Sequence, residues 1–213
     1  MSSPSPVRRR TLLTAAAAGF VAVPWLSGTA NAAVPKVYID PGHGGTDVGA
    51  VGNGLQEKAV TLDLALRLNH ILVVVYGFQT RLSRTSDVTR SLASRTSDAN
   101  AWGANIYVSI HINAGGGTGF ESYRYPTAGA TTVRLHNLLH SRVIAAMRTV
   151  AAVTDRGQKT ANFHVLRETA MSAVLTENLF IDRAADAALL KRDDFRHAVA
   201  TGHATGIANF FGR

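Results

Sequence analysis

Short apolar runs bounded by turn residues recur along the chain and predict the strands of a sheet. The run at 36–40 ends at Pro41-Gly42, and the run at 105–112 is apolar enough to be buried on both faces. Residues 120–125 alternate between apolar and polar, which is typical of an edge strand. The predicted strands cover residues 36–40, 78–82, 105–112, 120–125, 163–166 and 173–181.

Between these strands, apolar residues recur every three or four positions, which is the spacing of one helix face. Glycines at 77 and 103 end two of the patterns. The predicted helices cover residues 57–75, 91–102, 131–150 and 184–211, although Gly202 and Gly206 leave open whether the last is unbroken. Strands that alternate with helices predict an α/β fold: a single domain with a central, mostly parallel twisted sheet of about six strands and helices on both faces.

The first 32 residues differ from the rest because they contain no acidic residue. Arg8-Arg9-Arg10 precede an apolar stretch of about 12 residues, and Ala30-Asn31-Ala32 has the small residues that a signal peptidase reads. A membrane-spanning helix needs about 20 apolar residues, so we favour a cleaved signal peptide over a retained anchor. The adjacent arginines indicate the twin-arginine route, with the Sec route as the alternative. Residues 33–213 then form the mature domain, which we expect to act outside the cytoplasm.

Composition narrows the chemistry that this domain can use. The chain has no cysteine, which excludes disulfides, a thiol nucleophile and cysteine-bound metals, so any metal must be bound by His, Asp or Glu. The 22 Lys and Arg against 14 Asp and Glu give a net charge of +8. Removing residues 1–32 with their three arginines leaves 19 against 14, or +5, without a basic block. Nucleic acid is therefore not predicted as a partner.

The candidate chemical groups fall near the ends of predicted strands, where ligands gather in α/β folds. His43 lies in a Gly-rich turn after the first strand, Glu57 opens the first helix, and His111 is near the end of the strand at 105–112. Taken singly, each has an ordinary structural explanation as a turn residue, a helix-dipole partner or a buried histidine. Glu177 is harder to explain, because an acid in a continuous apolar strand has a large desolvation cost unless it is paired, metal-bound or catalytic.

Two histidines and one glutamate form a ligand set that leaves zinc one open position for water, as in hydrolytic zinc sites. A second glutamate beside that water would be the general base, so four residues supply both ligands and base. The spacings do not fit the helical HExxH motif, which excludes a zinc peptidase of that type.

Longer motifs occur in an order that resembles one known family. They are YIDPGHGGTDVGA, LQEKAVTLDLALRL, TRLSRTSD, SLASRTSDAN, VSIHINA, GFESYRY, DRGQKTANFHVLRET and AVLTENLFI. Over residues 36–211 the chain resembles the zinc-dependent N-acetylmuramoyl-L-alanine amidases of bacterial cell walls that have an Amidase_3-type catalytic domain. The resemblance implies hydrolysis of peptidoglycan at the amide between the lactyl group of N-acetylmuramic acid and the L-alanine of the stem peptide.

The same resemblance implies one Zn²⁺ per chain, bound by His43, Glu57 and His111, with Glu177 as the catalytic glutamate. One position departs from the family, which usually has Gly-Phe shortly after the catalytic glutamate. Here the run is Leu179-Phe180, and we expect the leucine to change the pocket wall.

Other polar residues of these motifs have weaker functional interpretations. Four of them could support the ligands or contact substrate, although structural ion pairs or capping are favoured: Asp40, Arg84, Arg95 and Asn113. His136 and His140 are one helical turn apart, a spacing that can bind metal, but we expect them on an exposed helix without that role. The remaining histidines are expected near the cleft or at the surface, namely His164 near the cleft and His70, His197 and His203 at the surface.

Two other functions are weighed against the amidase. One is a zinc peptidase or carboxypeptidase that acts on the stem peptide, and the other is a wall-binding module that has lost catalysis. The intact set of ligands and base argues against the module.

In some relatives, a helix inserted after the strand that matches residues 120–125 plugs the zinc site. Here only residues 126–130 connect that strand to the next helix. The sequence up to Arg213 also contains no pattern of a wall-binding module. We therefore expect an enzyme with no obligate activator protein and, after signal cleavage, no membrane anchor.

Overall fold

A six-stranded sheet is the centre of the described part of this computed structural model, which covers residues 1–2 and 33–213. In chain order the strands are β1 (Lys36–Pro41), β2 (Val51–Gly52), β3 (Leu55–Gln56), β4 (Gln79–Leu82), β5 (Ile106–Asn113), β6 (Phe120–Arg124), β7 (Asp155–Thr160) and β8 (Ser172–Phe180). The sheet order is β4-β1-β5-β8-β6-β7, and β2 pairs with β3 in a separate hairpin. The first four strands of the sheet are parallel, while β6 and β7 run in the opposite direction.

Helices cover both faces of this sheet, so the predicted α/β fold is confirmed. They are α1 (Glu57–Val74), α2 (Leu92–Trp102), α3 (Ala130–Arg148), α4 (His164–Arg167), α5 (Ala184–Lys191) and α6 (Asp193–Phe210). In β1, Val37 and Ile39 belong to the main core that α1, α3 and α6 complete. Tyr38, one position along, points to the opposite face and packs with residues of α2 and α4. Among the described residues, no helix is both long and apolar enough to cross a bilayer.

The glycines of α6 mark a close helix contact rather than a break. A Cβ atom at Gly202 would lie 2.7 Å from Cα of Val143, and one at Gly206 would lie 2.9 Å from Cα of Leu139. Glycine is therefore needed for α6 to pack against the backbone of α3. The predicted helix over 184–211 is divided instead at Arg192, whose backbone is extended between α5 and α6.

One predicted strand is wrong. Phe163 is the N-cap of α4 and residues 164–166 lie in that helix, where Val165 and Leu166 are buried in the smaller core. A four-residue apolar run does not distinguish one helical turn from a strand. The sixth strand of the sheet is β7, which is polar and largely exposed because it lies at the sheet edge beside β6. An exposed edge needs no apolar residues, so no hydrophobic pattern predicted it.

The expectation that His136 and His140 lie on an exposed helix face is also wrong. Both are buried between α3 and β6, where the hydroxyl oxygen of Ser122 is 2.7 Å from His136 Nε2 and from His140 Nδ1. His140 Nε2 is in turn 2.9 Å from a carboxylate oxygen of Asp155. Burial lowers the pKa of His136 to about 4, so its ring is neutral at pH 7. Both nitrogens of His140 therefore have partners in the core, whereas Nδ1 of His136 is buried with no hydrogen-bond partner among the described residues.

His203 was expected at the surface and is instead buried in α6. Its Nδ1 is 2.8 Å from the carbonyl oxygen of Val199, and its Nε2 is 3.0 Å from the hydroxyl of Thr176 in β8. Burial lowers its pKa to about 4, with the Val199 carbonyl acting in the opposite direction. His70 and His197 are exposed, as predicted.

Candidate metal centre and active site

The residues selected from the sequence lie together at the carboxyl ends of neighbouring parallel strands. His43 follows β1, His111 is in β5 next to it, and Glu57 is the first residue of α1. One ligand atom from each of these three residues lies within 4.8 Å of the other two. Across the described ranges, this is the group of three His, Asp or Glu side chains with a spacing that suits a metal ion, and His136 and His140 form no such group.

The ring nitrogens of both histidines face the carboxylate of Glu57. His43 Nε2 is 3.1 Å from Glu57 Oε2, and His111 Nδ1 is 2.9 Å from Glu57 Oε1. The other nitrogen of His43, Nδ1, is 2.9 Å from both carboxylate oxygens of Asp47. A proton on Nδ1 that is donated to Asp47 directs the Nε2 lone pair towards the centre. Asp47 was not predicted from the sequence, although an acid four residues after a histidine in a Gly-rich turn is a recognisable signal.

Glycines allow the three side chains to approach one another. A Cβ atom at Gly42 would lie 2.3 Å from Cε1 of His111, and one at Gly49 would lie 2.6 Å from Oε2 of Glu57. His43 itself has a φ of 62°, which is left-handed backbone. The Gly-rich turn after β1 is therefore required by the close packing around the centre.

The protonation equilibria of the centre are strongly coupled. Burial raises the pKa of Glu57, but hydrogen bonds from His111 and His43 outweigh it and hold the pKa well below the usual range. Burial lowers the pKa of His43, while Glu57 and Asp47 raise it by more, to about 9. The pKa of His111 is also raised, because Glu57 and Glu177 outweigh its burial. A buried carboxylate between two imidazoles favours a cation at this position.

Glu177 lies beside the centre in β8. In the sheet it is opposite His111 on one side and opposite Glu121 on the other. Its Oε2 atom is buried and has no hydrogen-bond partner among the described residues. Burial raises its pKa to about 7, opposed by the charge of His111 and assisted by the charges of Glu57 and Glu121. A carboxyl group that exchanges its proton near neutral pH suits general acid–base chemistry.

Glu121 is a second buried acid on the same sheet face, and the sequence analysis missed it. Its carboxylate accepts hydrogen bonds from Asn113 (2.8 Å), Tyr123 (2.6 Å) and Arg156 (2.6 Å), and from Lys159. In an alternating edge-strand pattern, a glutamate at a polar position is expected to face water. Here β7 and β8 flank β6, so Glu121 is buried between them. Asn113, one of the polar residues selected from the sequence, donates a hydrogen bond to its carboxylate.

Arg84, Arg95 and Asp40 support the turn that carries His43. Arg95 Nη1 is 2.7 Å from Asp40 Oδ1, and Arg95 Nη2 donates to the carbonyl oxygen of His43 at 2.7 Å. Arg84 donates to the carbonyl oxygens of Pro41 and Gly42. Because these three side chains are buried and satisfied by the protein, the favoured structural explanation holds for them.

Leu179 does not form the wall of the pocket, which corrects the expectation from the sequence. It has a φ of 72°, in the left-handed region that glycine adopts without strain, at a point where β8 shifts register against β5. Its side chain is buried in the main core on the opposite face of the sheet from Glu177. The leucine therefore packs in the core at a strained backbone position and lines neither cavity of the cleft around the centre.

Two adjoining cavities form a cleft around the centre. One, of about 270 Å³, is lined by His43, Arg90 and other polar residues. The second, of about 220 Å³, is lined by Glu177, Phe163 and other mostly apolar residues. Leu92 and His111 line both cavities, so the cleft is continuous across the centre. His164 also lines the second cavity, as predicted.

Comparison with protein families identifies the family of this chain. Residues 37–209 match the family model described as N-acetylmuramoyl-L-alanine amidase. The chain belongs to the N-acetylmuramoyl-L-alanine amidase family. Its activity is therefore that of an amidase of peptidoglycan, as the sequence motifs predicted.

Named relatives of this amidase agree with the assignment. The sporulation-specific N-acetylmuramoyl-L-alanine amidase of Bacillus subtilis (strain 168) is 56% identical over 177 residues, which cover 83% of this chain and 68% of the relative. The endolysin of Bacillus phage SPP1 is 46% identical, over 81% of this chain and 64% of the relative. The catalytic domain of CwlV from Bacillus (Paenibacillus) polymyxa var. colistinus superposes with a TM-score of 0.78 at 36% identity, over 84% of this chain and 98% of that domain.

Proposed function

We propose that this amidase is a zinc enzyme, exported to the cell wall, that cleaves the amide between the N-acetylmuramic acid lactyl group and L-alanine. The observation that carries the proposal is the grouping of ligand atoms from His43, Glu57 and His111 within 4.8 Å, beside the unpartnered carboxylate oxygen of Glu177. Each of these four side chains lies at or next to the same cleft.

The donor set fits zinc. Two imidazole nitrogens and a carboxylate are the ligands of known hydrolytic zinc sites, in which three protein ligands leave a position for water or substrate. The hydrogen bond from His43 Nδ1 to Asp47 fixes the ring so that Nε2 points to the centre. Zinc bound there would polarise the scissile carbonyl and lower the pKa of a bound water to about 7.

Glu177 is proposed as the general base and then the general acid. An ionised Glu177 takes the proton of the attacking water, and the protonated form delivers it to the amine of L-alanine as the bond breaks. A pKa of about 7 suits both steps, because neither protonation state is strongly disfavoured. Glu121 is held by Arg156, Lys159 and Tyr123, so it remains a fixed charge behind Glu177.

The products of digestion distinguish this activity from a carboxypeptidase acting on the stem peptide. We expect the purified, zinc-loaded chain to release intact stem peptides with new L-alanine amino termini from purified sacculi and to leave bare glycan. Mass spectrometry of the soluble fraction, compared with a sample without enzyme, identifies the released species. Release of free D-alanine with the stems still attached to glycan would refute the amidase bond and support the carboxypeptidase.

The chain is also proposed to act without an activator protein. Five residues, 125–129, connect β6 to α3, which is too short for an inserted helix to reach across the cleft. The digestion above is therefore expected to proceed with no second protein, and activity that depends on an added partner would contradict this proposal.

Export is proposed to depend on the paired arginines of residues 1–32, which lie outside the described structure. The centre joins residues 43, 57 and 111, so metal loading requires a largely folded domain, and a route for folded proteins allows loading before export. Changing Arg9 and Arg10 together to Lys is expected to retain the protein inside the cell, as measured by fractionation and immunoblotting. Normal secretion of the double variant would indicate the Sec route.

A further inference from the structure

Arg90 places a positive charge in the cavity beside His43, and the acid next to it forms only a long ion pair with it. Its Nε atom is buried and has no hydrogen-bond partner among the described residues, while its side chain is about one third exposed, at 36%. The acid beside it, Asp98, is 3.9 Å from Nη2, which is too long for a hydrogen bond. Arg95 in the same cavity differs, because it donates to Asp40 at 2.7 Å and is buried.

The position of Arg90 relative to the metal centre is fixed by one side chain. Arg95 Nη2 donates to the carbonyl oxygen of His43 at 2.7 Å, and Arg95 Nε donates to the carbonyl oxygen of Arg90 at 3.1 Å. One buried guanidinium thus joins the backbone of the centre to the backbone of Arg90. The backbone of Arg90 is therefore held beside that of the centre, and its side chain lines the cavity next to His43.

The rest of this cavity favours an anion. Its two acids, Asp40 and Asp47, are already bound to Arg95 and to His43. Helix α2 begins at the cavity wall, at Leu92, so the positive end of its dipole adds to the charge of Arg90. The second cavity has the opposite character, because its walls are mostly apolar.

We propose that Arg90 binds a free carboxylate of the peptide stem and makes the amidase select stems with an acidic residue directly after L-alanine. This inference rests on the proposed function, because it places the scissile amide at the centre formed by His43, Glu57 and His111. An extended peptide advances about 3.4 Å per residue, so a carboxylate on the residue after L-alanine is only one residue step along the chain from the scissile amide, and Arg90 and His43 line the same cavity. A planar guanidinium with free N–H groups pairs with a carboxylate through two parallel hydrogen bonds.

The test uses two synthetic muramyl tetrapeptides that differ only at the second residue, an acidic residue whose carboxyl group outside the peptide link is either a free carboxylate or a carboxamide. For the zinc-loaded full chain we expect kcat/KM to be about tenfold higher for the carboxylate, mainly through KM, since one charged hydrogen-bond pair at a partly exposed site has that effect. Arg90→Gln is expected to reduce the ratio to near one, and Arg90→Lys to retain part of it. Arg81→Gln is the control, because Arg81 also approaches Asp98, at 3.4 Å, but lines neither cavity.

The possible results separate this inference from the function on which it rests. A wild-type ratio near one, or an unchanged ratio in Arg90→Gln, overturns the role of Arg90 while the amidase activity stands. An equal loss of the ratio in Arg81→Gln also overturns it, because the effect would then come from general charge. If the wild type cleaves neither peptide at the lactyl–alanine amide, the proposed function itself fails.

Discussion

Glu177→Gln is expected to lower turnover by about 10²–10⁴-fold, the usual contribution of a general base, while the zinc content remains near one per chain. Glutamine keeps the volume of the side chain and one carbonyl oxygen, but it does not accept the proton of the attacking water. The glutamate has an unpartnered buried Oε2 and a pKa raised to about 7, so its carboxylate is costly in this apolar strand. Thermal stability is therefore expected to be maintained or raised in the variant.

Steady-state kinetics on a soluble muropeptide, metal analysis and thermal unfolding measure these three effects on one preparation. Glu168→Gln is the control, since Glu168 is exposed and pairs with Arg167 at the surface, and we expect it to change none of them. Loss of zinc from Glu177→Gln would make Glu177 a metal ligand. Near-normal turnover with zinc retained would make it a structural residue.

His111→Ala is expected to remove zinc and activity together. The variant leaves one histidine and Glu57 at the centre, and two ligands do not hold zinc tightly. The imidazole also donates to the buried carboxylate of Glu57, so the variant loses a satisfied hydrogen bond as well. Zinc at about 100 times its dissociation constant stabilises a folded protein by about 2.7 kcal/mol, and this zinc-dependent stabilisation is expected to disappear in the variant.

Metal analysis after dialysis and the shift of the unfolding temperature on zinc addition test this expectation without any assay of turnover. His164→Ala is the matched control, because His164 lines the same cleft but is not part of the ligand group. We expect the control to bind one zinc per chain and to unfold at a higher temperature when zinc is added. Retention of one tightly bound zinc by His111→Ala would disprove the assignment of the centre.

Local patterns in the sequence determined most of the helices and buried strands. Helix α2, for example, was predicted from its start near Ser91 to Gly103, and the structure gives both residues as its caps. Ser91 accepts a hydrogen bond from the amide of Ser94, and Gly103 has left-handed backbone, so each boundary depends only on residues within the helix or next to it. The strand β5 was equally clear, because burial on both faces produces a continuous apolar run.

Elements whose character depends on distant neighbours were not predicted. The edge strand β7 is polar because water covers it, and residues 163–166 are apolar because they pack as one helical turn on the smaller core. The burial of His136 and His203 depends on Ser122 and Thr176, which belong to other elements. Partners that are far apart in sequence leave no periodic signal.

The sequence by itself determined the fold class and brought His43, Glu57, His111 and Glu177 forward as candidates, because a glycine-rich turn and an acid in an apolar strand are visible one residue at a time. Only the tertiary structure decided which atoms meet: that His43 Nδ1 contacts Asp47, that Glu121 lies beside Glu177, and that Nε of Arg90 has no hydrogen-bond partner among the described residues next to the centre. Most of these relations arise where neighbouring strands, parallel or antiparallel, bring distant segments of the chain together. They depend on distances of a few ångströms, which sequence separation does not contain.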